Sequence, residues 1–242
     1  MTVQTVARYT PKHRRARRRG PSLAGLAVSG ITATVGIVAL GAPALAAGER
    51  AIWHFDETSG TTAFDSSGNG NDGTAENVVM TGSGYEFNGT SSKVLVPTSD
   101  SLNPGTDVFS FSVTFRSSVA PGQGLDYDLM RKGLTVTKGG EYKVEVLQAN
   151  GKARALCVVK DTNRKALQIR GTTNLTDGNV HTITCTRTST GLTLVVDNLA
   201  PRTKAGVTGS ISNTAPVSLG AKAEGGAEAD WFDGVILDAS IS

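Results

Sequence analysis

From Ala51 onward, apolar and polar residues alternate in short runs broken by Gly, Asn, Asp and Ser, and no stretch sustains the apolar period of a helix. The clearest unit is a hairpin that runs along Tyr142–Leu147, turns at Asn150-Gly151 and returns along Arg154–Val159. Asn-Gly accepts the positive φ angles of a type I′ turn, whose twist matches that of the strands it joins. A second hairpin runs along Val180–Arg187, turns through Ser189–Gly191 and returns along Leu192–Asp197. It is rich in the Thr, Val and Ile that fit a pleated surface. Alternation predicts further strands at 51–56, 85–87, 93–96, 109–116, 128–132, 166–170, 216–221 and 231–241. Many short strands joined by turns, with no linker or repeat to divide them, predict one all-β domain, a sandwich or barrel.

The first 46 residues do not follow this pattern. They hold seven of the 24 Lys and Arg residues and none of the 21 Asp and Glu, then an apolar stretch from Leu23 to Leu45, then the small-residue site Ala44-Leu45-Ala46. This order predicts a secretory signal peptide over 1–46 and a mature domain over 47–242. Export by the Sec route is expected, with the twin-arginine route as the alternative, because no large apolar residue closely follows the arginine run at 14–19. A retained anchor is the competing reading, since Pro21–Ala47 is about long enough to span a bilayer. Its Gly, Ser and Thr content and Pro43 favour removal. Without the leader, 17 basic residues face 21 acidic ones, so the net charge of +3 for the whole sequence becomes −4. The basic balance therefore belongs to the leader and implies neither a nucleic-acid nor a membrane partner. A secreted, extracellular monomer is expected.

Near the start of the mature region the chain reads Trp53-His54-Phe55-Asp56-Glu57-Thr58-Ser59-Gly60, continuing to Asp65-Ser66-Ser67-Gly68-Asn69-Gly70-Asn71-Asp72-Gly73. With Phe87-Asn88-Gly89, Phe109-Ser110-Phe111-Ser112-Val113, Asp177-Gly178-Asn179-Val180-His181 and the closing Asp230-Trp231-Phe232-Asp233-Gly234, this resembles LamG-like domains of the concanavalin A-like lectin/glucanase class. Three positions depart from the family pattern: Val180 where an aromatic is frequent, Leu237 where a second acid is usual, and the absent last aromatic. The resemblance implies a two-sheet antiparallel jelly-roll sandwich with a concave face that takes a glycan or an extracellular protein ligand. Because one fold hosts lectins, adhesion modules and glycosidases, it does not choose among them.

Candidate chemistry is sparse. The oxygen-rich loop Asp65–Gly73 is a possible Ca²⁺ site, as the resemblance also implies, with Asp65, Asn69 and Asn71 as ligands and Asp230 or Asp233 reaching across from the closing strand. The alternative is a loop that satisfies itself through Asx-turns. Cys157 and Cys185 lie in strand-like runs, and an exported chain meets an oxidising compartment, so a disulfide between neighbouring strands is expected, with two buried thiols as the alternative. Trp53 and Trp231 are expected to pack inward, which leaves Tyr127 and Tyr142 as candidates for ligand contact. Glu141 and Glu145, four apart, and Asp126 with Asp128 are the nearest approach to a glycosidase acid pair. Neither matches the family's close Glu, Asp, Glu triplet, and Glu145 reads as part of a solvated strand face. No nucleophile elbow, phosphate loop or zinc spacing occurs, so a non-catalytic binding module is expected.

Overall fold

A computed structural model describes residues 48–223 and 228–242; the expected signal peptide lies outside them. Strand formation follows the alternation from one end to the other. The first strands are β1 (Ala51–Trp53), β2 (Thr62–Ala63), β3 (Gly73–Glu76), β4 (Val79–Met80), β5 (Tyr85–Asn88) and β6 (Lys93–Val96). Longer ones follow: β7 (Phe109–Arg116), β8 (Asp126–Lys132), β9 (Glu141–Ala149) and β10 (Lys152–Lys160). The chain continues with β11 (Ala166–Arg170), β12 (Val180–Arg187), β13 (Gly191–Val196), β14 (Arg202–Ala205), β15 (Val217–Leu219) and β16 (Asp233–Ile241). Among the described residues no helix is long and apolar enough to cross a membrane.

The strands form two eight-stranded antiparallel sheets. The first has the order β14-β13-β12-β7-β16-β5-β4, with β1 added beside β16; the second has the order β11-β10-β9-β8-β15-β6-β3-β2. Non-sequential neighbours such as β7 with β16 and β8 with β15 give the crossing connections of a jelly roll rather than a meander. The hairpin read at Asn150-Gly151 forms, with φ of 54° and 72° at the two turn residues. The edge strands β2, β4 and β14, only two to four residues long, were not apparent from alternation.

Between the sheets lies one core. Trp53, Phe55, Tyr85, Phe109, Phe111, Phe115, Tyr142 and Phe232 are almost wholly buried there. Phe109, Phe111 and Tyr142 meet at 5.3–5.5 Å between ring centroids, joining β7 of one sheet to β9 of the other. Cys157 and Cys185 form a disulfide with a Cα–Cα distance of 5.9 Å. It does not link neighbouring strands as expected: β10 and β12 belong to opposite sheets, so the bond crosses the core and ties the two layers together.

Candidate functional site

The outer face of the second sheet carries an unusual set of charges. Alternation turns Tyr142, Val144 and Val146 of β9 into the core and Glu141, Lys143 and Glu145 outward. On β8, Asp126, Asp128 and Arg131 face the same way, opposite Leu147, Glu145 and Lys143, and a bulge between Asp128 and Met130 keeps this phase. A solvated face was expected here. Instead Asp128, Arg131, Glu141 and Glu145 are each at most 3% exposed. The 133–140 loop folds over one end, where Lys160 Nζ donates to the carbonyls of Leu134 and Thr135 and the Thr135 hydroxyl donates to Glu141 at 3.2 Å.

Burial of charge is tolerated only with partners. Arg131 bonds Asp128, approaches Glu141 at 3.6 Å and donates from Nε to the Gly133 carbonyl at 3.1 Å. Lys143 pairs with Glu145, and Lys160 lies 3.4 Å from Glu141. Compensation is incomplete, because Asp128 Oδ1 has no hydrogen-bond partner. Burial pushes the Asp128 carboxyl up to about 6 against the pull of Arg131 and Lys143, and pushes Glu145 up to about 8 against Lys143.

Two clefts open above these charges. One, of about 380 Å³, is lined by Asp126, Arg131, Lys143, Lys222 and Asp230 together with Leu134–Val136 of the loop. The other, of about 230 Å³, is lined by Gly89, Ala120–Gly122, Leu125, Tyr127 and Trp231 and again by Asp126 and Asp230. The shared aspartates make them one groove. Lys222 Nζ meets Asp230 Oδ2 at 2.7 Å on its wall, and Asp230, at φ +54°, accepts from Asp128 N–H on its carbonyl at 3.0 Å.

Several expected site residues stand elsewhere. Tyr142 is fully buried and its hydroxyl donates to the Leu102 carbonyl at 3.1 Å, so it cannot touch a ligand. Tyr127 is 8% exposed and lines the groove wall while its ring packs edge-on against Phe232. Trp53 packs inward as expected, with its ring N–H on the Asn71 carbonyl at 2.9 Å. Trp231 does not: Phe232 takes the core position and Trp231 stays partly exposed in the groove.

The proposed calcium ligands do not assemble. Asp65 accepts from the backbone N–H of Ile52 and Ser67 on one oxygen, and from the Ser67 hydroxyl and Asn71 N–H on the other, all within 3.0 Å. Partial burial raises its pKa, but these donors outweigh burial and hold the carboxyl below its ordinary value. The Asn69 and Asn71 amides point their N–H groups at the carbonyls of Glu49 and Arg50. Donors therefore converge where a cation needs oxygen lone pairs. Asp65 bridges Trp53, which lies opposite Ala239, six residues along β16 from Asp233, or roughly 20 Å at the strand rise. Among the described residues no group of three or more acidic, His or Cys side chains could hold a metal ion.

The remaining polar clusters are structural in geometry. His181 Nδ1 and Nε2 lie 2.9 Å from Asp197 and 3.0 Å from Asp177, and His54 lies 2.8 Å from Asp238, on the same sheet as His181.

A family model, Laminin_G_3, described as the concanavalin A-like lectin/glucanases superfamily, matches residues 88–242. The chain belongs to this superfamily. No curated protein matches it. Among solved structures, the binding domain of Paraclostridial Mosquitocidal Protein 1 aligns with a TM-score of 0.60 at 17% identity, over 80% of this chain and 48% of that one. The binding domain of botulinum neurotoxin DC aligns in its complex with SialylT (TM-score 0.55, 13% identity, 80% and 47%) and in its complex with rat synaptotagmin II (0.53, 12%, 80% and 48%). At these identities the likeness shows the fold alone, and the chain spans about half the length of each. The chain thus shares its two-sheet architecture with these domains over about half of their length.

Proposed function

We propose that this protein is a glycan-binding module that acts outside the cell and carries out no catalysis. The observation that supports this best is Trp231, an aromatic ring partly exposed in a groove whose other walls carry Asp126 and Asp230. An indole face stacks on the apolar face of a pyranose, while carboxylates accept from its hydroxyls, and few other ligand classes need both at once. A binding role is favoured over hydrolysis because the two carboxyls with raised pKa are engaged by cations: Asp128 with Arg131, Glu145 with Lys143. Neither is free to meet a glycosidic oxygen. Binding domains that share this fold over about half of their length have been solved with SialylT and with rat synaptotagmin II, which supports a ligand-binding role.

A polysaccharide panel, read by affinity electrophoresis and by thermal melting, tests the reading. At least one glycan should retard the protein and raise its melting midpoint, and Trp231→Ala should weaken retention at least tenfold with the unliganded midpoint unchanged. Equal retention by Trp231→Ala, or a protein-only ligand, overturns it.

A further inference from the structure

The charges around Trp231 specify more than a generic sugar. Resting on the glycan-binding reading, we propose that the Trp231 end of the groove selects a sugar bearing a positive charge, an amino sugar with a free ammonium group as in a de-N-acetylated polysaccharide.

Among the described residues no Lys or Arg lines the 230 Å³ cleft at this end, whereas Asp126 and Asp230 both do. A third carboxylate stands behind it. Gly89 lines the cleft, and a Cβ placed on Gly89 would fall 3.2 Å from Asp233 Oδ2, so the Asp233 side chain abuts the wall where glycine leaves room for it. Of the three acids only Asp230 has a cation, Lys222; among the described residues Asp126 and Asp233 have no ion-pair partner. Beneath them, on the same face of β8 as Asp126, Asp128 is wholly buried with Oδ1 unpartnered. The Tyr127 hydroxyl is discouraged from ionising by burial first and by Asp233 second, which places that charge within electrostatic reach of the cleft.

An ammonium group entering here meets the uncompensated Asp126 carboxylate and the Trp231 side chain, with the Asp233 charge behind the Gly89 wall, and all three attract it. A uronic or sialic acid brings a like charge to the same place and is repelled. A neutral or N-acetylated sugar keeps its hydroxyl contacts but gains no charge pairing. The far end of the groove, with Arg131 and Lys143, has the opposite character, so discrimination is confined to the Trp231 end.

Isothermal titration of the protein with a β-1,4-linked glucosamine tetrasaccharide, its fully N-acetylated counterpart and a tetragalacturonic acid, in physiological salt and below the amine pKa, decides the matter. The glucosamine oligomer should bind at least tenfold more tightly than the other two, and Asp126→Asn should abolish most of that preference while leaving the melting midpoint unchanged. Trp231→Ala should lose glucosamine binding, and Trp231→Phe should restore part of it. Equal or tighter binding of the N-acetylated or acidic oligomer overturns the inference. So does glucosamine binding that survives Trp231→Ala, which marks diffuse attraction to an acidic protein. If other glycans bind but none carrying an ammonium does, this inference fails and the glycan-binding reading stands; if no glycan binds, both fail.

Discussion

On the outer face of the first sheet, hydroxyls stand opposite hydroxyls. Ser110 pairs with Thr186, Ser112 with Thr184 and Thr114 with Thr182, each at 2.8–2.9 Å between β7 and β12, and all six are partly solvated. On the outer face of the second sheet the same alternation places Asp128, Arg131, Glu141 and Glu145 under cover. The first arrangement is inexpensive, because each group exchanges water for an equivalent neighbour. The second buries ions that a sheet does not require. On the proposed reading, charge held at such a cost to stability is kept on the second face for recognition.

The sharpest test of this contrast removes one ion. Arg131→Met takes from buried Asp128 the cation bonded to it and should cost about 3–5 kcal/mol in urea unfolding. A loss near that of a surface substitution would mean that the face is wetter than its geometry. Next in size is the bond that holds the two faces at a fixed spacing. Cys157 and Cys185 close a segment of 28 residues, and their joint replacement by Ala should lower stability by about 3–4 kcal/mol, measured by the same unfolding midpoint.

The acid pair gives a pH signature. An acid whose pKa is raised in the fold keeps its proton after the unfolded chain has released it, so stability falls as pH rises from the ordinary Glu value of 4.5 towards about 8 for Glu145. Glu145→Gln should flatten the fall in melting midpoint across that interval, a difference on the order of 1 kcal/mol at its alkaline end. His181 gives a slope of the same sign that the substitution leaves in place. Burial lowers its pKa, but the hydrogen bonds it makes to the carboxylates of Asp197 and Asp177 outweigh burial and raise it, so its contribution is lost only as pH climbs above 6.5. The smallest effect belongs to the hydroxyl face: Thr184→Ala should change stability by about 0.5 kcal/mol and leave glycan retention untouched.

How much of this was legible in the sequence varied with distance along the chain. The Asn150-Gly151 hairpin was, because turn chemistry is local. So was the phase of β9, although Tyr142 shares that phase with Val144 and Val146 and should for that reason have been read as core. Trp231 was misread for a physical reason: a bulge between Ile236 and Asp238 shifts the phase of the last strand, so that Ala239 and Ile241 face the core beyond it while Ile236 and Phe232 face the core before it. Nothing local signals that break. The covering of Glu141 depends on the 133–140 loop and on Lys160 of the next strand, and the cysteine pair was identified while its span across the core was not.

The pairing of the first strand with the last has a mechanical consequence. Ala51 lies opposite Ile241 and Trp53 opposite Ala239, so residues at either end of the domain leave it side by side. Tension applied between them peels β1 from β16 rung by rung, like a zip, rather than shearing every rung together. What resists the first step is the clasp of Asp65 on Ile52 and of Asn69 and Asn71 on the carbonyls just ahead of β1. The loop that resembled a metal site is thus the latch of a weak seam.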